Sequence, residues 1–238
     1  MNNMISSQLF KTRKSNVWPI VLCCSLVLDM IPFIAHKYIG NISLKQDFFD
    51  GDFTIITIGV LAALLFTMDF TSDSIKQIVG KRASKTKYVI ANHLVVTMST
   101  FLMFAILIGV SILYSIIFGI GVDEYVDFNS QKDFFIAFAG LAAVAFAYIS
   151  FVMLIAFLSN KLSVTLILSI VAPPILRGLI AIVSGIHPKL ALISPQNALY
   201  YLAYTPYSET YLSVIIGYFL AGIVLCGVSI AIFRKKEL

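Results

Sequence analysis

The chain has 238 residues, of which 59% are hydrophobic and only 12% charged, with a net charge of +5 and a mean hydropathy of +0.94. A soluble domain carries about a quarter charged residues, so this composition excludes one and leaves an all-α integral membrane protein. The basic surplus sits in short segments between hydrophobic runs, which is a topology signal and not a nucleic-acid surface.

Residues 1–16 are polar and basic, with Met1, Met4, Ile5 and Leu9 on one helical face. They fit an amphipathic elbow on the membrane surface or, alternatively, a frayed solvated tail. Six candidate spans follow, at 17–36, 53–70, 94–119, 134–158, 162–186 and 211–233. Each is near or above the ~18 residues a helix needs to cross the hydrocarbon core. The whole of 1–238 reads as a single transmembrane domain. The first span carries Asp29 and Pro32 and no small-residue cleavage site, so it is expected to be retained. Cys23, Cys24 and Cys226 lie inside spans, and an adjacent pair has no metal-ligand spacing. They are expected to be packing residues.

Between spans two and three comes the longest polar interruption, MDFTSDSIKQIVGKRASKTKYVIAN from Met68 to Asn92. It holds Lys76, Lys81, Arg82, Lys85 and Lys87. Ile75, Ile78 and Val79 fall at i, i+3 and i+4, the spacing of one helix face. Thr71 and Ser72 are candidate caps for such a helix, Asp73 suits the positive end of its dipole, and Gly80 can end it. Ser84 then caps the helix entering the third span. The pattern predicts a short helix lying at the cytoplasmic membrane face.

Counting Lys and Arg sets the orientation. With both termini inside, the inner segments hold Lys11, Arg13, Lys14, the five of the central segment, Lys161, Arg234, Lys235 and Lys236. The outer segments hold only Lys37, Lys45, Lys132 and Lys189, as the positive-inside rule requires. The longest outer segment, 187–210, carries Tyr200, Tyr201, Tyr204 and Tyr207 with Pro188, Pro195 and Pro206, and is too apolar for a free loop. Broken helices dipping back into the outer leaflet explain it, with the tyrosines at headgroup level. An aromatic belt that only anchors is the other reading.

Enzyme chemistry is absent from the pattern. A phosphate-binding loop needs G-x-x-x-x-G-K-[ST], but Gly80-Lys81 is followed by Arg82, and Ile75 stands where the first Gly belongs. His36, His93 and His187 are scattered over both faces, so no zinc site is expected. Three ionisable residues lie in or at the edge of spans: Asp29, Asp69 and Arg177. Such residues are costly in lipid and face the protein interior or a wet cavity. Counted along their helices at 1.5 Å per residue, Asp29 and Arg177 reach similar depth, about 18 and 22 Å from the inner side. They are expected to pair, either as a polar spot on a transport pathway or as a structural lock between spans one and five. Pro173-Pro174 is expected to break the fifth span and free carbonyls for Arg177.

Asp69-Phe70, then Asp73-Ser74-Ile75-Lys76, then Ser84-Lys85 keep the order acidic, aromatic, Ile-Lys, Ser-basic. In this, and in its six spans, the chain resembles the permease subunit of ABC-2 type exporters, a family whose pattern has Glu, Gly and Arg where this chain has Asp69, Asp73 and Lys85. Ile193-Ser194-Pro195 resembles the family's segment before the last span. The resemblance implies that Asp69, Phe70, Asp73, Ile75, Lys76, Ile78, Val79, Ser84 and Lys85 form a coupling helix docked on a separate ATPase subunit. ATP and Mg would bind that partner, with no cofactor on this chain, and a second permease chain, identical or different, would complete the pore. It further implies a bacterial cell membrane and a peptide, drug or lipid-like substrate, as in lantibiotic immunity exporters. An ATP-independent secondary carrier and a non-transporting assembly or sensor protein are the alternatives. A carrier is expected to carry internal repeats, and none stands out between the halves.

Overall fold

A computed structural model describes residues 2–39, 43–49, 52–71, 85–126, 128, 131–185, 188–205 and 209–235. Among these every regular element is helical. In chain order they are α1 (Asn2–Lys14), α2 (Val17–Ile39), α3 (Leu44–Phe49), α4 (Asp52–Thr71), α5 (Lys85–Ile117), α6 (Val122–Val126), α7 (Gln131–Ser159), α8 (Leu162–Ser184), a 3-10 turn (Pro188–Ile193), α9 (Pro195–Tyr204) and α10 (Glu209–Lys235).

Five of them, α2, α5, α7, α8 and α10, are long and apolar enough to cross a membrane. The second expected span, α4, is a 20-residue helix whose apolar stretch, Asp52–Met68, is shorter than in those five. The third is longer than the hydrophobic run predicts. α5 starts at Lys85 and has 33 residues, about 50 Å, against a hydrocarbon core of ~30 Å. Its first turns precede the apolar run but are packed in the bundle, with Tyr88, Val89 and His93 buried.

α7 and α4 form the centre. In α7 the run of Ala137, Ala143, Ala145 and Ala147 keeps the helix thin, so neighbours approach closely and pack by contact rather than by hydrophobic force. α10 lies along it. A Cβ at Gly222 would stand 2.4 Å from the Phe146 ring and 3.1 Å from the Ala147 Cα, so this crossing requires glycine. α4 wedges between α7 and α8 and buries Ile55, Ile58, Leu61 and Phe66. α2 packs on α5 through Val21, Ser25, Asp29 and Phe33, one face at fourfold spacing.

Several expectations are corrected here. α8 is continuous from Leu162 to Ser184 despite Pro173 and Pro174. Pro173 removes the N–H that would bond the Ser169 carbonyl four residues back, and the Tyr148 hydroxyl donates to that carbonyl instead. Cys23 and Cys24 lie on the exposed face of α2, pointing away from the bundle, and are not core packing. The N-terminal segment, by contrast, is a helix and not a frayed tail: α1 packs on α5 and, among its described side chains, buries Gln8 and leaves Leu9 and Phe10 exposed.

The segment between α8 and α10 is broken, as expected. The 3-10 turn and α9 reach well below the loop end of the bundle. Leu192 and Ile193 accept from the Tyr218 hydroxyl, nine residues or about 13 Å into α10. Leu202 covers Gly140, equally far into α7; a Cβ there would be 2.3 Å from Leu202 Cδ1. α3 packs against α9 and places Lys45 between the rings of Phe128 and Tyr204, at 5.0 and 6.0 Å.

Candidate functional site

The basic segment singled out by the sequence joins α4 to α5. Asp69 and Phe70 stand in the last turn of α4 with side chains outside the described set, and Lys85 opens α5. Asp73, Ile75, Lys76, Ile78, Val79 and Ser84 lie outside the described residues. Thr71, expected to cap the coupling helix, is the final residue of α4.

Both ends of the segment stand on one aromatic base. Phe66, a turn and a half before the end of α4, lies 6.5 Å from His93 of α5 and 6.5 Å from Phe157 of α7. Phe157 stacks on Phe233 of α10 at 4.8 Å, and Phe233 stacks on Tyr88, in the first turn of α5, at 5.5 Å. The Lys85 ammonium donates to the Arg234 backbone carbonyl at 3.3 Å, where a cation also suits the negative end of the α10 dipole. Four long helices thus meet at the root of the basic segment, each with an aromatic side chain in the contact. Offset and edge contacts of this kind are worth about 0.5–1.5 kcal/mol beyond area burial.

His93 anchors the base to α7. Its Nε2 is 2.8 Å from Ser150 Oγ, and Phe146 lies edge-on at 5.0 Å. Ser150 has one proton, which its bond to the Phe146 carbonyl at 2.9 Å takes. His93 Nε2–H is therefore the donor, and Nδ1 is left to accept from Thr97, 3.4 Å away. Sequence reasoning placed His93 among scattered histidines and passed over Phe66, Tyr88, Phe157 and Phe233. One signal was available: each lies within about two turns of one end of its apolar run.

The expected Asp29–Arg177 pair does not form. Asp29 is 5% exposed and accepts from Ser111 Oγ of α5 at 2.6 Å, whereas Arg177 Nη1 lies 3.4 Å from both Asp52 carboxylate oxygens. Matched rise gives matched depth but says nothing of azimuth: α2 turns Asp29 towards α5, and α8 packs on α4, which begins with Asp52. Asp52 Oδ1 also accepts from Gln196 Nε2 at 3.0 Å, and Gln196 Oε1 accepts from Ser194 Oγ at 3.1 Å. One carboxylate therefore joins the start of α4, the second half of α8 and the segment before α10. No group of three or more metal-ligating side chains occurs among the described residues.

The sequence profile of the ABC-2 family transporter proteins matches residues 4–173. The chain belongs to that family. The comparison with curated proteins yields no match. The profile runs from α1 to Pro173, so it takes in the basic segment, the aromatic base except Phe233, and both buried groups Asp29 and His93. This ABC-2 transporter is accordingly a multi-pass membrane permease of an ABC transporter, and its family implies association with an ABC ATPase subunit. That decides among the three sequence alternatives: neither an ATP-independent carrier nor a non-transporting protein fits the match.

Proposed function

We propose that the protein is the membrane subunit of an ATP-driven exporter and that residues 69–87 dock on the ATPase subunit. The observation that carries the reading is the aromatic base. A segment that only linked two spans would need no common root, whereas a lever must be rigid where it joins what it moves. Phe66, Tyr88, Phe157 and Phe233 supply that root, so a push on the segment is felt by α4, α5, α7 and α10 together. ATP and Mg belong to the partner, and this chain performs no catalysis. Two copies of the permease, or two related chains, stand with two ATPase subunits in a bacterial cell membrane. α4, the short second span, completes a set of six, both termini are cytoplasmic, and the cargo is a peptide, a drug or a lipid-like molecule.

The test is Ile78→Asp, purified with the candidate ATPase. Burying an unpaired carboxylate in a docking groove costs several kcal/mol, so co-purification and substrate-stimulated ATP hydrolysis should both fall sharply while insertion stays intact. An inserted, folded variant with both readouts unchanged would remove the segment from the coupling role.

A further inference from the structure

Two clefts open on the side of the bundle where α10, α8 and the dipping segment meet. The first, about 420 Å³, lies near the loop end and includes Lys189, Thr210 and Ser213 in its wall. The second, about 490 Å³, continues towards the middle of the bundle between Phe151, Leu168, Leu179 and Leu225 and is almost wholly apolar. They share Ile193, Tyr218 and Ala221. The Tyr218 hydroxyl is engaged by the Leu192 and Ile193 carbonyls, to which it donates at 2.9 Å, so it offers no free donor to either cleft.

We propose that these clefts form one groove that holds an anionic lipid of the leaflet on the Lys189 side, its phosphate on Lys189 and one acyl chain in the apolar half. Three observations fix the occupant. Polarity changes once along the groove, from a cation and two hydroxyls to hydrocarbon, which is the order of a lipid read from headgroup to tail. From Thr210 to Leu225 the groove follows α10 for about 22 Å, and half of a 40–45 Å bilayer, headgroups included, is about as deep. Lys189 is exposed and makes no ion pair among the described residues, so its charge is free for a phosphate. A merely lipid-wetted surface would accept any acyl chain; this one selects on headgroup charge. The inference stands on the membrane-spanning fold alone and does not depend on how the ATPase is coupled.

The full chain is purified, stripped of lipid and returned to phosphatidylglycerol and phosphatidylcholine of matched chains, and retained lipid is counted by native mass spectrometry. Phosphatidylglycerol should be preferred, and Lys189→Glu should lower its retention about fivefold, the factor expected for one basic contact. Lys132→Glu, another exposed lysine of the loop end, should not. Gly217→Leu should displace both lipids, because a side chain there enters the first cleft while its Cβ meets nothing within 4 Å and the fold is untouched. Equal retention of phosphatidylglycerol by all variants would overturn the site. Displacement of the lipid by inorganic phosphate alone would overturn the lipid in favour of a free anion.

Discussion

The ring of Tyr88 lies 5.5 Å from that of Phe233, at an interplanar angle of 25°, and joins the first turn of α5 to the last turns of α10. Tyr88 and Phe233 are both fully buried there, among residues that otherwise belong to the membrane end of the basic segment. If this stack is the root of a lever, its loss should do more than loosen packing. Tyr88→Ala and Phe233→Ala should each destabilise by about 3–5 kcal/mol, and the double variant should fall short of the sum by about 1 kcal/mol. Thermal unfolding in detergent gives the cycle. In the assembled transporter, the milder Phe233→Leu should keep ATP hydrolysis while transport per ATP drops; an unchanged ratio would mean that the stack is structural only.

Arg177 leads to a different expectation. Its contact with Asp52 is exposed, with the side chains 45% and 63% accessible, so the ion pair by itself is worth no more than about 1 kcal/mol. Asp52→Asn should cost little, because its amide oxygen can still accept from Gln196, while Asp52→Ala should cost more by leaving the Gln196 amide without that acceptor. A double-mutant cycle should find coupling between Asp52 and Arg177 and additivity between Asp29 and Arg177. Exchanging charges between Asp29 and Arg177 should not rescue either loss, because Asp29 is buried against Ser111.

The contrast between those pairs marks what could be read from the sequence. Apolar runs and their basic borders are one-dimensional properties, and they located α2, α7, α8 and α10 to within a few residues, together with the dipping segment before α10. Partner choice is an angular property. Asp29 and Arg177 share a depth, yet which helix each one faces depends on how α2 and α8 are rotated, and nothing in the spacing records that. α3 was invisible for another reason: six residues, LKQDFF, are too few for a period, and its buried side chains are held by distant helices, Phe48 against Phe104 of α5 and Phe49 against Phe138 of α7. The aromatic base is the sum of single residues from four helices and has no linear motif at all.

Close approach of α7 to its neighbours gives a graded glycine series. At Gly222 an added methyl meets the Phe146 ring and the Ala147 backbone, neither of which can retreat cheaply. At Gly140 it meets only the end of the flexible Leu202 side chain. Gly222→Ala should therefore destabilise by about 1–3 kcal/mol, and Gly140→Ala by less. Gly227→Ala, where nothing lies within 4 Å, should be neutral or slightly stabilising. Unfolding midpoints of the three variants check the order; equal effects at positions 222 and 227 would show that α10 does not cross α7 so closely.

The proline pair of α8 permits the sharpest test of how this bundle tolerates a broken ladder. Pro173 cannot donate to the Ser169 carbonyl, and water does not reach that buried site, so an unanswered carbonyl there would cost about 1–3 kcal/mol. The Tyr148 hydroxyl answers it from α7, across the groove between the two helices. Tyr148→Phe keeps the ring and removes only the donor, so it should lose about that amount. Pro173→Ala supplies an N–H in the helix itself; with its own donor restored, α8 no longer needs the tyrosine. The double variant Tyr148→Phe with Pro173→Ala should then recover most of the loss, less the small packing contribution of the buried proline ring. A general weakening of α7 by Tyr148→Phe would leave the double variant as unstable as the single one or worse. Thermal unfolding of the four proteins in one detergent separates the outcomes, and a Tyr148→Phe protein as stable as the parent would mean that the Ser169 carbonyl finds another donor.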